Sequence, residues 1–91
     1  MKVSEPVVGG TAVSLAGRDK GRCYLIAGIE GERLLLTDGK AHPAAAPKRK
    51  NRRHVRLLPQ FHPEIAARLG EGKVQDSAIR AALKALQAES G

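Results

Sequence analysis

Aromatic side chains are almost missing from this 91-residue sequence. It contains one tyrosine, Tyr24, one phenylalanine, Phe61, and no tryptophan. Modules that bind single-stranded nucleic acids stack the bases on exposed aromatic rings, so the sequence predicts no such stacking platform. The hydrophobic core must instead be built from valine, isoleucine, leucine and alanine, which a chain of this length can assemble into one small domain.

Thiols and catalytic side-chain groupings are equally scarce. The single cysteine, Cys23, has no partner for an internal disulfide, and we expect it to be a small buried side chain of a strand. The histidines His42, His54 and His62 lie 12 and 8 residues apart without acidic or cysteine partners, which argues against a metal site. No phosphate-binding loop of the Walker type, nucleophile elbow or carboxylate pair is present. We therefore predict no enzyme, no cofactor and no small-molecule substrate.

Long apolar runs are also absent. The longest, Leu25–Ile29 and Leu34–Leu36, are too short to cross a bilayer. The first ten residues lack the apolar segment of a signal peptide. Together with the lone cysteine, these features predict a cytoplasmic protein that does not insert into a membrane.

Positive charge is abundant and unevenly distributed. The net charge is +7, and residues 1–60 carry twelve basic and five acidic side chains, whereas residues 61–91 carry four of each. The whole excess therefore lies in the first two thirds of the chain. A localised excess of this kind attracts a polyanion, and RNA, DNA and an anionic membrane surface are all candidates at this point.

Alternating apolar residues predict a small β-domain. We expect a flexible leader over residues 1–9, then strands at 11–16, 23–29, 33–37 and 54–57. Glycine-bounded or proline-bounded loops separate them, and the basic run Lys48–Arg53 is expected to continue the loop that contains Pro43 and Pro47. In the last strand, Val55 and Leu57 fall on one face, and His54 and Arg56 on the other.

The last third of the chain has helical periodicity. Pro63 is suited to the first position of a short helix that ends at Gly70. Asp76 is expected to cap a second helix over residues 77–87. Its apolar stripe, Ile79, Leu83 and Leu86, is expected to pack on the β-domain, with docking of a partner as the alternative.

The segment Gly10–Arg22 resembles the KOW motif, in which an alternating strand leads into a glycine-bounded basic loop. The continuation through residues 34–40, 47–51 and 54–55 resembles the small bacterial KOW-domain RNA-binding proteins. Those proteins are similar to KOW-bearing large-subunit ribosomal proteins of archaea and eukaryotes. The resemblance covers about residues 8–58. It implies a mainly β fold, an SH3-like barrel over residues 10–58 followed by a helical C-terminal extension over 59–91, and contacts with structured RNA such as ribosomal RNA.

The predicted RNA-binding side chains belong to two basic segments and their neighbours. Gly17, Gly21 and Gly39 are expected to shape the loops and to let main-chain N–H groups approach a phosphate. Two simpler alternatives are that the second basic segment is a solvated coil and that Arg22 forms a surface ion pair with Asp19 or Asp38. The expected phosphate contacts are Arg18, Lys20, Arg22, Lys40, Lys48, Arg49, Lys50, Arg52, Arg53, His54 and Arg56.

These features predict a non-catalytic RNA-binding protein, ribosome-associated or similar to a ribosomal protein, that recognises phosphates and RNA shape. Ribosomal proteins are possible additional partners. The alternative is an interaction adaptor that docks a transcription or translation component through the barrel and the helical extension. We further predict that serine replacements of Lys48, Arg49, Lys50, Arg52 and Arg53 weaken RNA binding at least tenfold without unfolding the domain, a loss of the order that several phosphate contacts supply.

Overall fold

The computed structural model describes the backbone of residues 5–90 and the side chains of residues 5–87. The predicted flexibility of residues 1–4 thus lies outside the described residues. The chain forms five strands, one turn of 3₁₀ helix at Arg52–His54 and two α-helices. The elements are β1 (Gly10–Ser14), β2 (Cys23–Glu30), β3 (Arg33–Thr37), β4 (Lys48–Asn51), β5 (Val55–Phe61), α1 (Pro63–Glu71) and α2 (Asp76–Ser90).

The strands form one antiparallel sheet in the order β4-β3-β2-β1-β5. The longest strand, β2, lies at the centre, and β4 and β5 are the two edges. Leu25 pairs with both Thr11 of β1 and Thr37 of β3, so the β1–β2 loop and the start of the β3–β4 loop lie at the same end of the sheet. The predicted β-domain followed by helices is confirmed as an open five-stranded sheet and two helices.

Side chains alternate between the two faces of the sheet and build two apolar clusters. One face carries a cluster made by the strands alone, Ala12, Tyr24, Ile26, Leu34, Leu36 and Val55. The other face is covered by the helices, and Leu25 lies there in a cluster with Ile65, Ile79, Leu83 and Leu86. The prediction that the stripe of α2 packs on the β-domain is confirmed, and the helical extension is an integral part of the fold.

Helix boundaries follow local chemistry. Pro63 begins α1, and Gly72 ends it in the left-handed conformation, at φ 70°, with its N–H donating to Leu69 O. The prediction that Asp76 caps α2 is wrong, because Asp76 is within the helix and its Oδ1 accepts the N–H of Ala44 at 2.9 Å. Neither helix, over the residues described, is long and apolar enough to span a membrane.

Two stretches differ from the sequence-based expectation. Lys48–Asn51 is a strand paired with β3 and not part of a loop. Pro59–Phe61, expected in the helical extension, continues β5 beyond the predicted boundary at residue 58. Both strands are edges of the sheet, and Pro59 costs little in β5 because one side of an edge strand needs no sheet partner. The sequence pattern missed β4 because its inward-facing residues are lysines.

A matched pair of glycine substitutions tests the backbone of the β1–β2 loop. Gly21 has φ +89°, and a Cβ there meets no atom within 4 Å, so any cost of Gly21→Ala is conformational. We expect Gly21→Ala to destabilise the fold by about 1 kcal/mol. Gly70→Ala, in α1 and equally free of contacts, is expected to stabilise it by about 0.5–1 kcal/mol. Urea unfolding of both variants measures the difference, and equal effects would contradict a left-handed turn at Gly21.

Candidate nucleic-acid interface

A buried carboxylate organises the β1–β2 loop. Asp19 is only 8% exposed, although the other five residues of the predicted loop 17–22 are all solvent-exposed. Its Oδ1 accepts hydrogen bonds from Ser14 Oγ at 2.9 Å and Lys50 Nζ at 2.9 Å. Its Oδ2 accepts from Tyr24 Oη at 2.8 Å and Lys48 Nζ at 3.0 Å. Four side chains from β1, β2 and β4 thus converge on one group.

The surroundings of Asp19 keep it ionised. Burial by itself would raise the pKa of the carboxyl, but the hydrogen bonds from Lys50, Lys48, Tyr24 and Ser14 outweigh burial and hold the pKa well below its usual range. Burial of the Tyr24 phenol, together with its hydrogen bond to Asp19, raises the pKa of Tyr24. The cluster therefore contains one anion and two cations at neutral pH, and the negative charge of Asp19 is fully compensated within it.

Two of the predicted phosphate ligands, Lys48 and Lys50, are used in this cluster. The side chain of Lys50 is 11% exposed and donates a second hydrogen bond to Ala16 O at 2.8 Å. Lys48 keeps more exposure, 31%, but its ammonium is bonded to Asp19. The role of Asp19 as the centre of this cluster was not predicted from the sequence. The alternation of Lys48 and Lys50 was the available signal, because it places both on the inner face of a strand.

The outer side of the loop carries cations without internal partners. Arg18, Lys20 and Arg22 are exposed, and none of them forms a hydrogen bond or an ion pair through its side chain with the residues that the structure describes. The suggested ion pair of Arg22 with Asp19 or Asp38 is not formed among them. Because Asp19 is satisfied from within, these three side chains remain available to an external anion.

The main chain of the loop is less available than the sequence suggested. The N–H groups of Lys20, Gly21 and Arg22 donate to the carbonyls of Gly17, Ser14 and Asp19, at 3.3, 2.8 and 2.9 Å. Gly17 and Gly21 adopt φ of 86° and 89°, which permits this tight arrangement. The expectation that main-chain N–H groups of this loop approach a phosphate therefore fails for these three amides, which are already bonded.

The 3₁₀ helix and the start of β5 adjoin the loop. The N–H of Leu15 donates to His54 O at 2.8 Å, and Val55 pairs with Ser14, the last residue of β1. Arg53, His54 and Arg56 are exposed. These side chains therefore adjoin Arg18, Lys20 and Arg22. The two groups together form the surface that we call the cationic end of the sheet.

Other predicted residues lie elsewhere. Arg49 faces away from Lys48 and Lys50, and its Nε donates to Glu30 Oε1 at 3.0 Å, at the end of β2 remote from the loop. Nη2 of Arg52 lies 4.0 Å from Oε2 of Glu5. The structure thus divides the predicted set, because Arg49 contacts the far end of β2 and Arg52 lies near Glu5.

Lys40 belongs to the loop end of the sheet. It follows Gly39, at φ 73°, in a turn held by Asp38 Oδ1, which accepts the N–H groups of Lys40 and His42, both at 2.9 Å. Burial opposes ionisation of Asp38, yet these backbone hydrogen bonds prevail and lower its pKa. Lys40 is exposed and forms no side-chain bond within the described part of the chain.

Other functional groupings and comparisons with known proteins add no assignment. Among the described residues, no group of three or more histidine, cysteine, aspartate or glutamate side chains is placed to hold a metal ion. No family model matches the chain, and no curated protein matches it either. The cationic end of the sheet is therefore the candidate functional site.

Proposed function

We propose that this chain is a non-catalytic RNA-binding protein of the KOW type, which contacts structured RNA through phosphates and shape. The observation that carries the proposal is the internal neutralisation of Asp19. Because Lys48 and Lys50 satisfy that carboxylate, Arg18, Lys20 and Arg22 project from the loop without a competing anion. Arginine binds a phosphate through two donors and lysine as a compact charge, so the three suit a sugar–phosphate backbone.

The placement of the aromatic rings supports recognition of phosphates and shape over recognition of bases. Tyr24 is 1% exposed and hydrogen-bonded to Asp19, so its ring has no free face. Phe61 is 50% exposed, but it pairs with Gly10, at the end of β1 opposite to the loop. No exposed aromatic ring of the described residues lies beside the loop cations, and base stacking has no platform there.

The proposed fold is a small SH3-like barrel. Its support is the link between the edge strand β4 and the β1–β2 loop, since Lys48 and Lys50 reach Asp19 and Ala16 across the inner face of the sheet. Tyr24, a member of the strand-only cluster, joins this link through its hydrogen bond to Asp19. In the proposed barrel, the loop, the 3₁₀ helix and the start of β5 lie around one rim, as a single RNA-contacting surface requires.

The proposed cellular role is that of a cytoplasmic, ribosome-associated or ribosomal-protein-like factor, with ribosomal RNA as the representative ligand. This part of the proposal rests on the resemblance of residues 8–58 to KOW-domain proteins. Ribosomal proteins that lie next to such a site are the corresponding protein partners.

Copurification of nucleic acid separates this proposal from an adaptor role. We expect the full chain, purified at low salt, to carry RNA, visible as a high ratio of absorbance at 260 nm to that at 280 nm. RNase together with high salt should lower this ratio, and DNase alone should not, since phosphate contacts are salt-sensitive. A protein without nucleic acid that instead retains a translation or transcription component through its barrel would support the adaptor and contradict the proposal.

A further inference from the structure

A cationic cleft lies between the loop end of the sheet and α2. It is half open to solvent and has a volume of about 570 Å³. Its walls come from the end of the β1–β2 loop, the turn after β3 and one face of α2. The lining residues are Arg22, Cys23, Asp38, Lys40, Arg80, Leu83, Lys84 and Gln87.

Four of the lining side chains are cations and one is an anion. Arg22, Lys40 and Lys84 form no side-chain hydrogen bond or ion pair with the residues described. Arg80 uses Nη1 to donate to Gly39 O at 2.7 Å, which leaves most of its donors available. The carboxylate of Asp38 is occupied through Oδ1 by the N–H groups of Lys40 and His42. The cleft therefore has an excess of three positive charges.

Segregation of charge explains why the sequence did not reveal this cleft. Residues 61–91 contain four basic and four acidic residues, and their net charge of zero argued against a role in binding an anion. Arg80 and Lys84 lie one turn apart on α2 and both line the cleft. Of the acids in this part of the chain, Glu64 and Glu71 belong to α1, and Asp76 of α2 is bonded to the Ala44 N–H and does not line the cleft.

The position of α2 is fixed by contacts on both sides of the cleft. Ile79, Leu83 and Leu86 pack against Leu25 of the sheet. The Ala44 N–H donates to Asp76 Oδ1, and Arg80 donates to Gly39 O. A Cβ at Gly39 would lie 2.6 Å from Asp76 O, so only glycine permits this close approach of turn and helix. The cationic walls are thus held in place before any ligand binds.

We propose that this cleft binds phosphate groups of the RNA backbone, so that α2 forms part of the RNA-contacting surface. The inference rests on the proposed RNA-binding function and extends it from Arg22 and Lys40 to Arg80 and Lys84. Arg22 belongs to both the β1–β2 loop and the cleft, which makes the two surfaces continuous. The half-open shape admits a polymer that enters and leaves, and the mixture of arginine and lysine suits successive phosphates.

Charge reversal of Lys84, compared with charge reversal of Lys73, tests the inference. Both lysines are exposed, both belong to the helical extension, and only Lys84 lines the cleft. We expect Lys84→Glu to weaken binding of the full chain to a fluorescent structured RNA by roughly tenfold and to make the salt slope shallower by about one. Lys73→Glu should change the affinity by less than about twofold. Circular dichroism and thermal unfolding verify that both variants fold.

The outcomes separate this inference from the proposed function. If both lysine variants bind like the wild type, or lose affinity equally, while replacement of Arg18 and Lys20 abolishes binding, the cleft inference is wrong and the proposed function stands. If the wild type binds no RNA, both are wrong. A third outcome is that the chain binds polyglutamate but not RNA, and that Lys84→Glu weakens this binding. The cleft would then be a site for an acidic protein, and the inference would be overturned.

Discussion

Replacement of Asp19 by asparagine should destabilise the fold by about 3 kcal/mol, because it leaves two partly buried lysines without their counter-ion. The affected pair includes Lys50, whose side chain is only 11% exposed. The asparagine preserves the size of the side chain and an acceptor for Ser14 or Tyr24, so the expected loss reports mainly on charge. Urea unfolding at neutral pH, followed by circular dichroism, measures it.

Glu32→Gln provides the matched control. Glu32 is an exposed acid in the β2–β3 turn, and its neutralisation should change the free energy of unfolding by less than about 0.5 kcal/mol. Similar small changes for Asp19→Asn and Glu32→Gln would show that the buried cluster contributes nothing to stability, contrary to the geometry.

The pH dependence of stability gives a second test of the same cluster. The pKa of Asp19 is lowered in the folded state, so the unfolded chain binds a proton more readily. The stability that Asp19 contributes is therefore complete above its unfolded pKa of about 3.9 and is lost as the pH falls towards its folded pKa. Folding also lowers the pKa of Asp38, in the wild type and in Asp19→Asn alike, so Asp38 does not contribute to the difference between the two proteins. Between about pH 5 and pH 2, wild type should consequently lose more stability than Asp19→Asn, and parallel pH profiles would contradict the assignment.

Removal of the three loop cations should give the largest loss of RNA affinity. We expect the triple variant Arg18→Gln, Lys20→Gln, Arg22→Gln to bind structured RNA at least about 30-fold more weakly, because each side chain is expected to neutralise a phosphate. All three are exposed and unbonded within the described residues, so the variant should remain folded. Fluorescence anisotropy at fixed ionic strength measures the affinity, and thermal unfolding verifies the fold.

A triple variant of equal charge is the control. Arg33→Gln, Arg68→Gln and Lys73→Gln also remove three exposed cations, and these residues lie in β3, in α1 and after α1. If affinity depends on net charge alone, both triple variants weaken binding equally, and that result would contradict a localised surface. We expect the RNA affinity of the control variant to change by less than about threefold, since long-range interactions between exposed charges are screened by salt.

The structure also changes the result expected for the variant in which serine replaces Lys48, Arg49, Lys50, Arg52 and Arg53. Replacement of Lys48 and Lys50 would leave the buried carboxylate of Asp19 without cationic partners, and breaking a buried pair from one side is costly. That variant is now expected to destabilise the fold, so a loss of RNA binding in it would not report on phosphate contacts. The exposed loop residues are the cleaner targets.

Much of the fold was predictable because its strands and helices have local signals. The apolar residues of Cys23–Glu30 and Leu34–Leu36 cluster as in buried strands, and Pro63 marks the start of α1. The strand β4 carried no such signal, because its inward-facing positions hold Lys48 and Lys50. Those lysines are compatible with the interior only because Asp19, about thirty residues earlier in the chain, lies opposite them.

The candidate site was predictable in part for the same reason. The glycines and cations of the β1–β2 loop are consecutive in sequence, and their exposure follows from their local pattern. The cleft depends on packing between distant segments, since Arg22, Lys40 and Lys84 meet only when α2 lies on the sheet. A sum of charges over the last third of the chain conceals that arrangement.

Salt dependence of RNA binding by the wild-type chain tests the central claim most directly. If about five phosphates are neutralised by the cationic end of the sheet, the logarithm of the association constant should fall against the logarithm of salt concentration with a slope of roughly −3 to −4. A titration of fluorescent structured RNA from low to physiological salt gives this slope. A slope near zero, or no binding at low salt, would contradict the account.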